Sequence, residues 1–140
     1  MRALAAALVV VTFVLVPALA LAKGPTLPPN ESVWQGRYVC AQGVTGLTLT
    51  VRPVGADRVS ATFSFYAVPE NPDVPSGSYT MTGLLSATSE VVQLVPERWV
   101  QQPRGYVMVA MSGTFDVAQG VMRGRVDGPG CTEFQLRRMR

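Results

Sequence analysis

Apolar and polar residues alternate with a period of two through most of this chain. A chain patterned that way folds as half-buried strands. Leu47, Leu49 and Val51 alternate with Thr48, Thr50 and Arg52. Val59, Ala61, Phe63 and Phe65 alternate with Ser60, Thr62, Ser64 and Tyr66. Tyr79 and Met81 alternate with Thr80 and Thr82, and Phe134 and Leu136 with Glu133, Gln135 and Arg137. No segment carries a convincing 3.6-residue stripe over three turns. Between the runs lie Pro53 with Gly55, the Pro69, Pro72 and Pro75 stretch, and Asp127-Gly128-Pro129-Gly130. Pro and Gly there force reversals by fixing or freeing φ. The pattern predicts strands at 36–41, 45–52, 57–67, 78–85, 90–95, 105–113, 120–127 and 131–138. Short connections imply an antiparallel meander, and its free edges must be closed or covered. The expected class is all-β: a small antiparallel β-barrel of about eight strands, with a two-sheet β-sandwich as the alternative.

The only two cysteines, Cys40 and Cys131, fall in the first and last predicted strands. A bond between them would hold the chain ends together, as barrel closure requires. The N-terminus indicates a compartment where such a bond persists. Arg2 precedes an apolar run from Ala3 to Val16, broken only by Thr12. Pro17 then leads into Ala18-Leu19-Ala20-Leu21-Ala22, which offers two overlapping small-x-small cleavage sites. This order matches a signal peptide over residues 1–22, with the mature chain starting near Leu21 or Lys23. The competing reading is an uncleaved anchor, since the run has the ~20 residues that span a bilayer. Pro17 and the lack of a following Lys/Arg cluster favour cleavage, which leaves no stable membrane span. The protein is therefore expected to be secreted or periplasmic, with Cys40 and Cys131 disulfide-bonded. Closing a loop of about 90 residues would stabilise the fold by roughly 4–5 kcal/mol. Residues 23–33 read as a Pro/Gly-rich linker and 34–140 as one barrel domain.

About 120 residues remain after the signal, enough for one domain with a buried core. The net charge is +3, and Arg2 would leave with the signal. That mild excess does not suggest nucleic acid. There is no histidine, which removes Ser-His-Asp and Cys-His catalysis and His-rich zinc sites. Two cysteines cannot build a four-thiolate site. No catalytic residue, metal site or cofactor is expected.

The 96–106 segment is the most suggestive part of the chain. It places Arg98, Trp99, Arg104 and Tyr106 in a connection too Pro-rich for a strand. Trp and Arg on a loop make good binding anchors. The favoured alternative is that Trp99 packs inward and caps one end of the barrel. The following run from Tyr106 to Met111 is apolar on both faces and is expected to be covered. The 68–77 loop carries Glu70 and Asp73 and leads into Ser76-Gly77-Ser78-Tyr79. Ser76, Ser78 and Tyr79 join the candidate binding residues. A carboxylate-dependent glycan-active enzyme built from Glu70, Asp73, Glu97 or Asp116 would need two acids facing across one cleft.

Trp34-Gln35-Gly36-Arg37-Tyr38-Val39-Cys40-Ala41-Gln42-Gly43-Val44-Thr45-Gly46-Leu47 forms a W-x-G-x-Y-x-C-x-Q-G-x-T-x-L signature. With Ser76-Gly77-Ser78-Tyr79, the Trp99 to Tyr106 block and Cys131, it resembles an uncharacterised family of small secreted bacterial β-domains. That family also occurs beside caspase-like proteases, and it implies no activity. The Y-x-C start and the S-G-x-Y segment are more distantly similar to periplasmic inhibitors of C-type lysozyme. That likeness implies an inhibitor of a lysozyme-like hydrolase. The primary expectation is a non-catalytic domain that binds a protein or a cell-envelope component.

Overall fold

The computed structural model describes residues 26–139 continuously, together with Ala20 and Gly24. The signal-peptide reading at 1–22 falls outside the described residues, Ala20 apart. Eight strands follow among those described: β1 Ser32–Cys40, β2 Gly43–Pro53, β3 Arg58–Tyr66, β4 Gly77–Ser86, β5 Val91–Gln101, β6 Ala110–Asp116, β7 Val121–Asp127 and β8 Glu133–Arg138. Each strand pairs antiparallel with the next, and β8 pairs back onto β1, closing a barrel. The closing ladder runs from Trp34↔Arg138 to Tyr38↔Phe134. Closure removes the sheet edges that an open meander would leave exposed.

The alternation seen in sequence sorts residues between barrel interior and solvent. Trp34, Leu47, Leu49, Phe63, Met81, Leu94, Met111, Phe115, Met122 and Leu136 are all buried inside. One end is plugged. Trp34 meets Phe115 edge to face at 5.3 Å, and its indole N–H donates to Ser32 Oγ at 3.0 Å. Only the turns at 54–57, 87–90 and 117–120 connect strands at this end. The longer connections, 67–76, 102–109 and 128–132, all lie at the opposite end, beside the 41–42 turn.

Inward-facing glycines stand where neighbouring backbones approach closely. An added Cβ at Gly36 would sit 2.0 Å from the carbonyl oxygen of Gln135. Gly113 and Gly124 face each other across the β6–β7 ladder, and a Cβ on Gly113 would come 2.2 Å from the Arg123 carbonyl. Only a residue without a side chain allows such backbone approach.

Three sequence expectations change. The 96–101 stretch is not a connection: β5 continues through Pro96 to Gln101 and carries Trp99. It does so by two register shifts against β4, between Ser78/Tyr79 and Thr80/Met81. These bulges absorb the extra residues and let Pro96 sit in the strand. The strand expected at 105–113 starts only at Ala110, because the β5–β6 ladder stops at Leu94↔Met111. Val107, expected to be covered, is 61% exposed. Finally, β1 begins at Ser32 and β8 at Glu133, so Cys131 precedes the last strand.

Candidate functional site

The Cys40–Cys131 disulfide forms, tying the end of β1 to the segment before β8. It lies on the rim of an open cleft of about 380 Å³ at the unplugged end of the barrel. Tyr38, Phe65, Tyr79 and Tyr106 form its aromatic walls, with Val107, Val109 and Pro129 around the rim. The lining is mostly apolar, with few polar groups, as is usual for ligand sites.

The aromatic walls are one packed cluster. Phe63 lies beneath the cleft, stacked on Tyr79 at 4.7 Å and edge-on to Tyr38 at 5.2 Å. Phe65 stacks on Tyr106 at 5.3 Å. Trp99 touches both Phe65, at 6.3 Å, and Tyr79, at 5.2 Å. Such contacts hold each ring in place and stabilise beyond simple burial.

Polar contacts hold the surrounding loops. The Tyr79 hydroxyl donates to the Val109 carbonyl at 3.0 Å and accepts from the Val109 N–H at 3.2 Å. This pair of hydrogen bonds to one residue anchors the 102–109 connection, whose Tyr106 and Val107 line the cleft. Asn71 Nδ2 donates to the carbonyls of Gln42, at 2.6 Å, and Val44, at 3.1 Å. That ties the 67–76 loop to the β1–β2 turn. Gln42 Nε2 donates to Tyr38 Oη at 3.2 Å and to Thr45 Oγ1 at 3.1 Å. Burial pushes the phenols of Tyr38 and Tyr79 well above the ordinary tyrosine value. Both stay neutral at physiological pH, so the cleft presents hydroxyls rather than charge.

The structure brings together only part of the set read from the sequence. Tyr79 and Tyr106 line the cleft. Trp99 packs inward behind them, half-buried against Phe65 and Tyr79, and stands on a strand rather than a loop. Arg98 and Arg104 are exposed outside the cleft, Ser76 is exposed ahead of β4, and Ser78 faces outward. Gly77 does pack between Phe65 and Pro103, so the 67–76 and 102–109 segments meet at one end of the barrel. The carboxylates are dispersed. Glu70 and Asp73 are exposed on the 67–76 loop, with Glu70 ion-paired to Arg37. Glu97 stands on the outer wall, and Asp116 borders the 117–120 turn at the plugged end. Among the described residues no group of three His, Cys, Asp or Glu side chains converges as a metal site would require.

Sequence reasoning missed Tyr38, Phe65, Gln42 and the disulfide itself as parts of the site. Tyr38 and Phe65 read as ordinary strand residues, because alternation says which face a residue takes and not how near the barrel's open end it lies. The W-x-G-x-Y-x-C signature held the usable signal: Tyr38 and Cys40 share one face at a strand end.

The fold and the site together define a closed eight-stranded antiparallel barrel with an apolar cleft in its mouth. Comparison with protein-family models, curated proteins and solved structures finds no match to this chain.

Proposed function

We propose that this protein is an extracytoplasmic, non-catalytic binding domain that takes an apolar group of a protein or cell-envelope component into the mouth of its barrel. One observation carries the reading: an aromatic-walled cleft opens at the end where every long connection gathers, with Val107 61% exposed on its rim. Apolar concavities with a few oriented polar groups are the usual form of small-ligand and side-chain sites. Loops held on a rigid scaffold are where recognition concentrates. The disulfide supports an oxidising compartment, where such bonds persist. The dispersed carboxylates lend nothing to an enzymatic reading. The hydrolase-inhibitor reading draws no support from the Ser76 to Tyr79 segment, because Ser78 faces outward and Tyr79 is buried.

Site-specific photocrosslinking tests the proposal. A photoreactive residue at Val107 should yield adducts with an envelope component, and one at the exposed Val54, at the plugged end, should not. Adducts from both positions alike, or from neither, would reject the mouth as the binding site.

A further inference from the structure

A second concave surface lies on the outside of the barrel, across β6, β7, β8 and β1. It is a shallow groove of about 870 Å³. Its charge comes from Arg37, Arg123, Arg125 and Arg137, against a single lining carboxylate, Glu133. The register shows why they gather. On the outer face Thr114, Arg123, Gln135 and Arg37 form one cross-strand row, because Thr114 pairs with Arg123, Arg123 with Gln135 and Gln135 with Arg37. Arg125 stands two residues from Arg123 on β7, and Arg137 two residues from Gln135 on β8. The four arginines therefore stand around the neutral Gln135, with Glu133 beside it on β8 as the one acid among them. Arg37 is ion-paired to Glu70 and Arg125 stands opposite Glu133 in the register, while Arg123 and Arg137 pair with the neutral Gln135, Gln35 and Val121 and form no ion pair among the described residues. A chain with a net charge of only +3 thus concentrates an excess of positive charge on one wall.

The spacing sets the size of the ligand. Strands lie ~4.8 Å apart and next-but-one residues ~7 Å apart along a strand, so the ring spreads over roughly 10–15 Å. One small anion cannot reach across it; a chain carrying repeated anionic groups can. Guanidinium forks bind oxyanions through paired N–H donors. A phosphodiester keeps a full negative charge on two free oxygens, which one guanidinium fork or two neighbouring arginines can take, and phosphate is a group that arginine recognises well. The groove also lacks an exposed ring on which a nucleobase could stack, since Phe134 is 2% exposed. We propose that this groove binds a linear polymer bearing phosphate groups, separately from whatever occupies the mouth.

Titration of the protein with linear inorganic polyphosphate at low ionic strength, followed by calorimetry, tests this. The expected result is saturable binding that weakens with salt. The double variant Arg123→Gln/Arg125→Gln should bind at least about tenfold more weakly and lower the log–log salt slope by roughly one to two. The control pair Arg52→Gln/Arg58→Gln removes equal charge elsewhere on the barrel and should leave both quantities unchanged. Circular dichroism of each variant should match the parent. Equal weakening by the control pair would reduce the effect to overall charge and overturn the site. So would absence of binding, equal affinity for polygalacturonate, or binding only to anionic phospholipid vesicles.

Discussion

The Tyr79 hydroxyl offers the most direct test of how the mouth is built. Tyr79→Phe keeps the ring, its stacking on Phe63 at 4.7 Å and its contact with Trp99. It removes only the oxygen that bonds the Val109 carbonyl at 3.0 Å and the Val109 N–H at 3.2 Å. Val109 is 6% exposed, so its backbone groups are poorly placed to find water without movement. A buried polar group left unpaired costs about 1–3 kcal/mol. Two are exposed to that cost here, and opening of the 102–109 connection toward solvent relieves part of it. The expected net loss is about 2 kcal/mol, equivalent to a fall in Tm of roughly 10 °C for a domain of this size. The check is urea unfolding combined with amide exchange. The midpoint should drop with the m-value unchanged, and exchange at Val109 should accelerate by more than that of the β2 and β3 amides. Stability within about 0.5 kcal/mol of the parent, with Val109 still protected, would refute the idea that this hydroxyl anchors the rim.

Three further outcomes follow from the same geometry. Replacing Cys40 and Cys131 by Ala, a pair separated by 91 residues, should cost about 4–5 kcal/mol in reversible denaturation and loosen the cleft rim. Gly36→Ala drives a Cβ to 2.0 Å from a neighbouring carbonyl and should cost about 3 kcal/mol or more, while Gly55→Ala, whose nearest atom is 3.4 Å away, should stay within about 0.5 kcal/mol on the same thermal melts. Alkaline pH should destabilise the fold: Tyr38 and Tyr79 have folded-state pKa values raised above the unfolded value of about 10, so the unfolded chain releases protons that the folded one retains. Their contribution is therefore complete below about pH 10 and is lost as pH rises above it; Tyr38→Phe should flatten that part of a stability-versus-pH curve.

Much of the fold was legible because strand patterning is local. The alternation at 47–51, 59–65 and 79–81 marks the inward residues of β2, β3 and β4 without any tertiary knowledge. The reading broke where a distant strand changed the outcome. Pro96 argues locally against a strand, yet the β4 ladder accommodates it by bulging, and Trp99 turns inward as a result. Tyr106 to Met111 reads locally as a two-faced buried strand, yet β5 stops pairing with β6 at Leu94 and leaves Val107 in solvent. The arginine ring was equally hidden: Arg37 and Arg123 are far apart in sequence and meet only because β8 lies between β1 and β7.

The sequence by itself determined an all-β chain, the inward face of most strands, and a cysteine pair placed near the two ends of the sheet. These follow from side-chain alternation and turn chemistry, which act over a few residues. Only the tertiary structure decided which end of the barrel is plugged by Trp34 and Phe115 and which stays open. It also decided which rings line the opening and which arginines share a wall. Those features depend on register between strands remote in sequence, set by closure of the whole sheet rather than by any one segment.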